Sequence, residues 1–284
     1  MRGRKFSQVD VFTKVAYKGN PVAVVLDAGG LSDAEMQGFA GWTNLSETTF
    51  VLPPSDPAAD YRVRIFTPKA ELPFAGHPTL GTAHAVLEAG LAAARDGKLV
   101  QECAVGLVEL TIGTDALSFK LPRYAVADAP GGDEATAWIG GAALIGPALI
   151  GKPKAVDVGP VWLIAELAEI AALETLAHDP ARLTAYYEQY GLTGATLFAC
   201  AGDRAVVRSF APGDGIPEDP VCGSGNAAVA AYRLVSGQIC AGSHYRASQG
   251  RQLGRDGWID IRIDGADVHV GGSCVTCVRG EVQL

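Results

Sequence analysis

The chain is short of positive charge. In 284 residues, 23 Lys and Arg stand against 31 Asp and Glu, for a net charge of −8. With no basic patch to gather phosphates, that balance argues against a general nucleic-acid binder and favours a soluble protein. Long apolar runs are also missing. The longest stretch, Trp138 to Ile150, is too short to span a bilayer and is broken by Gly140, Gly141, Gly146 and Pro147. The basic start Met1-Arg2-Gly3-Arg4-Lys5 is not followed by the apolar segment of a signal peptide. These features read as a cytoplasmic protein with no membrane partner. A disulfide framework is missing as well: Cys103, Cys200, Cys222, Cys240, Cys274 and Cys277 are scattered through a long chain. The lone Cys274-Val-Thr-Cys277 motif falls in a strand-like segment, where residues three apart face opposite ways, so a joint metal or redox role is not expected. Cofactor fingerprints are absent too. Gly223-Ser-Gly-Asn226 has neither dinucleotide spacing nor the P-loop lysine, no GxSxG occurs, and no His/Cys/Asp cluster has metal spacing. Neither a cofactor nor a metal is expected.

What the chain does have is an apolar fraction of 48%, enough for a sizeable core in one large or two medium domains. It also has one dense polar stretch. Glu218-Asp219-Pro220-Val221-Cys222-Gly223-Ser224-Gly225-Asn226 places an acid pair, a thiol, a hydroxyl and an amide directly before an alanine-rich run that ends at Gly237. Ala227 to Tyr232 carries no charge, and a helix without a polar face is a buried helix. Its leading N–H groups form a site suited to a carboxylate. The plainer alternative is a glycine turn before an ordinary core helix.

A second stretch repeats the pattern. Gly76-His77-Pro78-Thr79 opens the run Leu80 to Ala89, which ends at Gly90. Gly76 to Gly90 and Gly223 to Gly237 are both fourteen steps. Phe66-Thr67-Pro68 upstream mirrors Phe210-Ala211-Pro212, although the upstream spacing differs by three residues. The pattern suggests two diverged halves, each with a buried helix behind a polar turn.

Strands are expected over Ser7 to Phe12, Pro21 to Leu26, Thr48 to Leu52, Tyr61 to Phe66, Leu99 to Ile112, Leu117 to Leu121, Val156 to Ile164, Ala195 to Ala199, Ala205 to Phe210, Gly257 to Ile263, Asp267 to Val270 and Ser273 to Val278. Ser32 and Glu35 form a capping box for a helix to about Trp42. Asp179-Pro180 starts another helix, which should stop at Gly191. Pro122 to Gly159 is rich in Gly, Pro and Ala and reads as a crossover, with a short helix somewhere in Trp138 to Ile150. The second half begins near Leu121.

Several of these residues can carry chemistry. Glu47 opens a strand with no counter-charge nearby in sequence, and its plain reading is a solvated glutamate. His77, at a helix N-terminus, is expected to be a neutral hydrogen-bond partner, proton shuttle or simple cap. Asp219, before proline, is held extended and either orders the turn or holds a substrate amine. Ser224 and Asn226 either cap the helix or bind a carboxylate. Cys222 is placed for thiolate character, or is a small buried apolar residue.

End to end, these motifs resemble the PhzF-like phenazine-biosynthesis family within the diaminopimelate-epimerase-like fold. The resemblance rests on Gln8-Val-Asp-Val-Phe12, Lys18-Gly-Asn-Pro21, Asn44-Leu-Ser-Glu-Thr48, Phe66-Thr-Pro68, Gly76-His-Pro-Thr79, Glu218-Asp-Pro-Val221 with Gly223-Ser224, and Gln249-Gly250 with Gly254-Arg255. It implies an α+β fold of two pseudo-repeated domains, 1–120 plus 271–284 and 121–270. Each would be a curled, barrel-like mixed sheet around a central buried helix, with the active site between them. It further implies a homodimer and a cofactor-independent isomerase of a small carboxylated substrate, of the trans-2,3-dihydro-3-hydroxyanthranilate type. Glu47 would be the proton-transferring residue, assisted by His77 and Asp219, and Gly76, Gly223, Ser224 and Cys222 would bind substrate. Two departures from the family pattern stand out. Cys222 replaces a common Thr, and Gly223-Ser-Gly-Asn226 replaces a common Gly-Ser-Ala. Cys-Gly-Ser-Gly is similar to the two-cysteine epimerases and racemases of the same fold, but Ala75 stands where their other cysteine would be. An epimerase or racemase using Cys222, or a non-enzymatic small-acid-binding protein, are the alternatives.

Overall fold

The computed structural model describes residues 2–137, 139 and 149–284. Along the chain run β1 (Gly3–Val11), β2 (Asn20–Val25), α1 (Asp33–Thr43), β3 (Glu47–Leu52), β4 (Tyr61–Phe66), β5 (Glu71–Leu72), α2 (Gly76–Glu88), β6 (Lys98–Cys103), β7 (Gly106–Ile112), β8 (Leu117–Lys120) and β9 (Ala125–Asp128). There follow α3 (Asp133–Ala137), β10 (Leu149–Asp157), β11 (Val161–Leu167), α4 (Ile170–Glu174), α5 (Pro180–Tyr190), β12 (Gly194–Ala201), β13 (Arg204–Ala211), β14 (Ile216–Asp219), α6 (Gly223–Val235), β15 (His244–Gln249), β16 (Gly257–Asp264), β17 (Asp267–Gly272) and β18 (Cys274–Gln283). The chain divides into two compact units, Met1–Lys120 with Gly271–Leu284, and Leu121–Val270. Among the described residues no helix is long and apolar enough to cross a membrane.

The first unit is a mixed sheet in the order β18-β1-β2-β3-β4-β6-β7-β8, with β5 beside β4. The β2/β3 and β4/β6 pairs are parallel and the rest antiparallel. α1 carries the expected capping box: the Glu35 N–H donates to Ser32 Oγ at 3.3 Å, and the Ser32 N–H donates to Glu35 Oε2 at 2.8 Å. It ends at Asn44 in the left-handed region, φ 54°. α2 is buried from Gly76 to Ala83 and touches β18, β1, β2, β3, β6 and β8. Such a helix needs thin walls. A Cβ on Gly81 would run into the Val11 and Val22 side chains, and the polar Thr82 is satisfied by donating to Thr49 Oγ1 at 2.8 Å. At its other end Glu88 accepts from Thr276 Oγ1 at 2.7 Å and from Arg279 Nε at 3.1 Å, which ties the helix to the C-terminal strand.

The second unit runs β9-β10-β11-β12-β13-β15-β16, with β14 beside β13. Its parallel pairs are β11/β12 and β13/β15, so the succession of strand senses is that of the first unit read from β18 to β7. α6 is buried over most of its length against β9, β10, β11, β12 and β16. α5 begins at Asp179, whose side chain accepts from the Ala181 and Arg182 N–H groups, and ends at Gly191 with φ 66°.

Four expectations change. The sheet is mixed but not closed: among the described residues no pairing joins β8 to β18 or β16 to β9. The β8 edge that would close onto β18 is instead paired with β17. Leu99 to Ile112 is two strands, turned at Ala104-Val105, and Val156 to Ile164 is two strands reversing at Val158–Pro160. The supposed crossover Pro122 to Gly159 contributes β9 and β10; the short helix expected in Trp138 to Ile150 lies almost wholly outside the described residues. Finally, a bulge between β1 and β18 leaves Cys277 as an extra residue, Gln8 facing Val278 and Val9 facing Thr276, so simple alternation does not hold across Cys274–Cys277. All six cysteines are free; burial pushes the Cys274 thiol up to about 12 and raises those of Cys103, Cys200 and Cys277.

Candidate active site

In the first unit, β3 runs parallel to β2 with Glu47 in register with Val22, so the side chain of Glu47 lies at the sheet end where α1 delivers the chain. Ser46 Oγ reaches buried Asn20 Oδ1 at 3.5 Å, and the Thr43 and Thr48 hydroxyls meet at 2.9 Å, which fixes the entry to the strand. α2 starts in the same neighbourhood. Its N-cap, Ala75, is extended (φ −150°, ψ 139°) and offers no side-chain cap, so the Gly76 and His77 end of the helix keeps its donor character. His77 is the second residue of α2 and is 5% exposed. Its Nε2 lies 3.4 Å from Glu47 Oε2, and the Glu47 side chain is only 15% exposed. The reading of Glu47 as a solvated glutamate is therefore corrected: its counter-group comes from a helix thirty residues further along. The carboxylate and the imidazole are thus brought together in a largely buried setting.

In the second unit, β14 ends on Asp219, extended as the following proline requires. Asp219 Oδ1 accepts from the Val221 N–H at 2.9 Å, an Asx turn that rounds Pro220. The strand before it is clamped. Arg208 grips Glu218 through Nε at 2.8 Å and Nη2 at 2.9 Å, and its Nη1 donates to the carbonyls of Leu173 at 3.0 Å and Leu176 at 2.7 Å. Both members of this ion pair are buried.

The cap of α6 is Cys222, not Ser224 or Asn226: its Sγ accepts from the Gly225 N–H at 3.2 Å. Close packing forces glycine at 225, because a Cβ there would stand 2.6 Å from both Ser209 Oγ and Thr196 Oγ1. Ser224 accepts instead. Trp162 Nε1, which can only donate, binds Ser224 Oγ at 3.1 Å. The Ser224 hydroxyl proton is thus free to point at Cys222 Sγ, 3.5 Å away. Cys222 is 4% exposed, and its sulfur, at the positive end of a helix, accepts from the Gly225 N–H and stands 3.5 Å from the Ser224 hydroxyl. Gly223 and Ser224 are the first two helical residues and supply the leading N–H groups.

The sequence-derived candidates thus fall into two clusters: Glu47, Gly76 and His77 in one unit, and Asp219, Cys222, Gly223 and Ser224 in the other. Trp162, Arg208 and Gln249 support the second cluster; Trp162 and Arg208 read as ordinary strand residues, and Gln249 is marked only by the Gln249-Gly250 motif, without a role, since β15 is not expected at all. Among the described residues no three His, Cys, Asp or Glu side chains converge to hold a metal ion.

The chain thus carries a buried carboxylate–imidazole pair at one helix N-terminus and an acid, a thiol and a hydroxyl at another, on a mixed α+β fold dominated by sheet. Comparison with known proteins names the class. The family described as "Phenazine biosynthesis-like protein" matches residues 9–280. A Schizosaccharomyces pombe protein named antisense-enhancing sequence 1 is 39% identical, covering 99% of each chain. The trans-2,3-dihydro-3-hydroxyanthranilate isomerase of Pseudomonas chlororaphis is 35% identical over 97% of this chain and 98% of its own. A crystal structure of a Bacillus anthracis PhzF-family protein superposes with a TM-score of 0.86 at 24% identity, covering both chains fully. A hydroxyproline epimerase from Agrobacterium vitis shares the fold with a TM-score of 0.66 at 14% identity, over 100% of this chain and 93% of its own. The chain belongs to the phenazine biosynthesis-like, or PhzF, family and is an isomerase, which sets aside the reading as a non-enzymatic binding protein.

Proposed function

We propose that the protein is a cofactor-independent isomerase that moves a proton between two carbons of a small, conjugated carboxylic acid, with Glu47 as the general base and acid. The observation that carries this reading is the 3.4 Å approach of His77 Nε2 to a nearly buried Glu47 carboxylate at an uncapped helix N-terminus. Glu47 takes the proton from one carbon as the electron pair moves into the conjugated system, and returns it at another carbon, so no reductant or oxidant is needed. His77 holds or relays the proton, and the N–H groups that open α2 and α6 stabilise the substrate carboxylate and the charge that develops. Asp219 and Ser224 orient the substrate, and we take the two units to be copies of one ancestral half. The reaction type named for the Pseudomonas relatives, isomerisation of trans-2,3-dihydro-3-hydroxyanthranilate, is the first substrate to try. A homodimer is part of the proposal and is read by sedimentation.

The geometry at Cys222 favours one second reading, an epimerase in which the thiol is the partner acid or base, because its sulfur caps a helix N-terminus by accepting from the Gly225 N–H, with the Ser224 hydroxyl 3.5 Å away. Solvent-deuterium incorporation, followed by mass spectrometry over a panel of small cyclic and amino carboxylic acids, separates the two. Incorporation that Glu47→Gln abolishes supports the glutamate isomerase. Incorporation that survives Glu47→Gln but is lost in Cys222→Ser supports the epimerase.

A further inference from the structure

The buried amide pair Asn226 and Gln249 is not needed for packing alone. Asn226 is 1% exposed and Gln249 2%. Asn226 Nδ2 donates to Gln249 Oε1 at 2.8 Å and to the Cys222 carbonyl at 2.9 Å. Gln249 Nε2 donates to the Asp219 carbonyl at 2.9 Å. The two side chains thus join the first and last residues of the Asp219–Cys222 turn. The backbone following Gln249 comes close enough to help. Gly250 adopts φ +97°, and a Cβ on it would overlap the Pro220 carbonyl oxygen. Asn226 Oδ1, meanwhile, is buried with no hydrogen-bond partner among the described residues. A buried orphan acceptor costs free energy, and an apolar pair of the same shape would avoid that cost. An amide kept there at a cost to stability points to a task in the turn.

The first unit has a shorter version of the same device. Gln101 on β6, fully buried, donates through Nε2 to Thr79 Oγ1 at 3.0 Å and accepts from the Tyr61 hydroxyl at 3.0 Å. Thr79 stands three residues after Gly76, as Asn226 stands three after Gly223. β6 and β15 are the strands that lie parallel to β4 and β13 respectively. In the first unit the glutamine grips the helix and Tyr61 of β4; in the second it grips the helix and the turn that carries Asp219 and Cys222.

We infer that Gln249, acting through Asn226, is a positioning residue for the second polar turn, holding the Asp219 and Cys222 side chains in the geometry that meets the substrate. The role of the turn rests on the proposed function, but the latch is read without substrate, so either idea can fail alone. The test is alkylation of Cys222 by iodoacetamide in the intact folded protein, followed peptide by peptide by mass spectrometry from mildly acidic to alkaline pH. In Gln249→Ala the turn loosens: Cys222 is alkylated about five- to tenfold faster at alkaline pH, because the hydrogen bonds to Asn226 and to the Asp219 carbonyl are both lost. Its reactivity profile moves to higher pH as the Gly225 donor on Sγ misaligns, while exposed Cys240 reacts at its wild-type rate. Gln249→Glu keeps the acceptor for Asn226 and falls between wild type and alanine; a Glu variant level with alanine overturns the route through Asn226. If Gln249→Ala does not fold, Asn226→Ala carries the same expectation. A folded variant whose Cys222 rate and pH profile match wild type overturns the inference.

Discussion

His77 Nε2 lies 3.4 Å from Glu47 Oε2, and both side chains are largely withdrawn from water. In the proposed mechanism the imidazole holds or relays the proton that Glu47 takes up. His77→Asn keeps a donor but cannot shuttle a proton. It should lower catalysed deuterium exchange by about 10²-fold or more, within the range that a positioned acid–base group supplies, and leave the thermal melt close to wild type. Exchange at the wild-type rate in His77→Asn would remove the imidazole from the mechanism.

Trp162 fixes the Ser224 rotor by occupying its acceptor side at 3.1 Å. Trp162→Phe keeps the ring in its strand and deletes only the indole N–H donor. Losing one net hydrogen bond of about 0.5–1.5 kcal/mol predicts a roughly 2- to 12-fold fall in kcat/KM. Titrating turnover of both proteins checks it; an unchanged kcat/KM would mean that the Ser224 hydroxyl has no fixed direction to lose.

Arg208 and Glu218 form a buried fork immediately before Asp219. Arg208→Met leaves the Glu218 carboxylate buried without its partner and frees the carbonyls of Leu173 and Leu176. Breaking one side of such a pair costs about 3–5 kcal/mol. Chemical denaturation should show that loss, and the double variant Arg208→Met with Glu218→Leu should recover part of it.

Two imidazoles make stability fall on the acid side of neutrality. Burial lowers the pKa of both His84 and His178 below the ordinary 6.5. The unfolded chain therefore takes up protons near pH 6.5 that the folded chain refuses until lower pH, so this contribution is complete above pH 6.5 and drains away as pH falls through that value. Tm should decline between pH 7 and pH 5, above the range where carboxylates titrate. Replacing both histidines by glutamine should flatten that slope; an equal slope in the double variant would place its origin elsewhere.

Local chemistry made much of the fold legible. Ser32 with Glu35, and Asp179-Pro180 with Gly191, specify helix ends within a few residues of chain, and the structure keeps both. The two buried helices could be read from their uncharged runs. Contacts made at long range could not. Glu47 read as a solvated glutamate because His77 reaches it only after β4 has paired with β3 and α2 has been laid against the sheet. Ser224 gave no hint of Trp162, 62 residues away in sequence. β15 escaped because His244-Tyr-Arg-Ala-Ser-Gln249 has neither a clean apolar alternation nor β-branched residues, and is made a strand by β13 and β16 on either side. Leu99 to Ile112 looked continuous because its turn, Ala104-Val105, carries no Pro or Asn, and only the positive φ of Gly106, +102°, marks where the strand resumes.

The most direct test of the account is solvent-deuterium exchange into trans-2,3-dihydro-3-hydroxyanthranilate and related small acids, with wild type and Glu47→Gln side by side. The account predicts exchange by wild type that falls about 10²–10⁴-fold in Glu47→Gln, with the melting curve and the circular dichroism spectrum unchanged. Exchange that persists at the wild-type rate in a folded Glu47→Gln protein would contradict it.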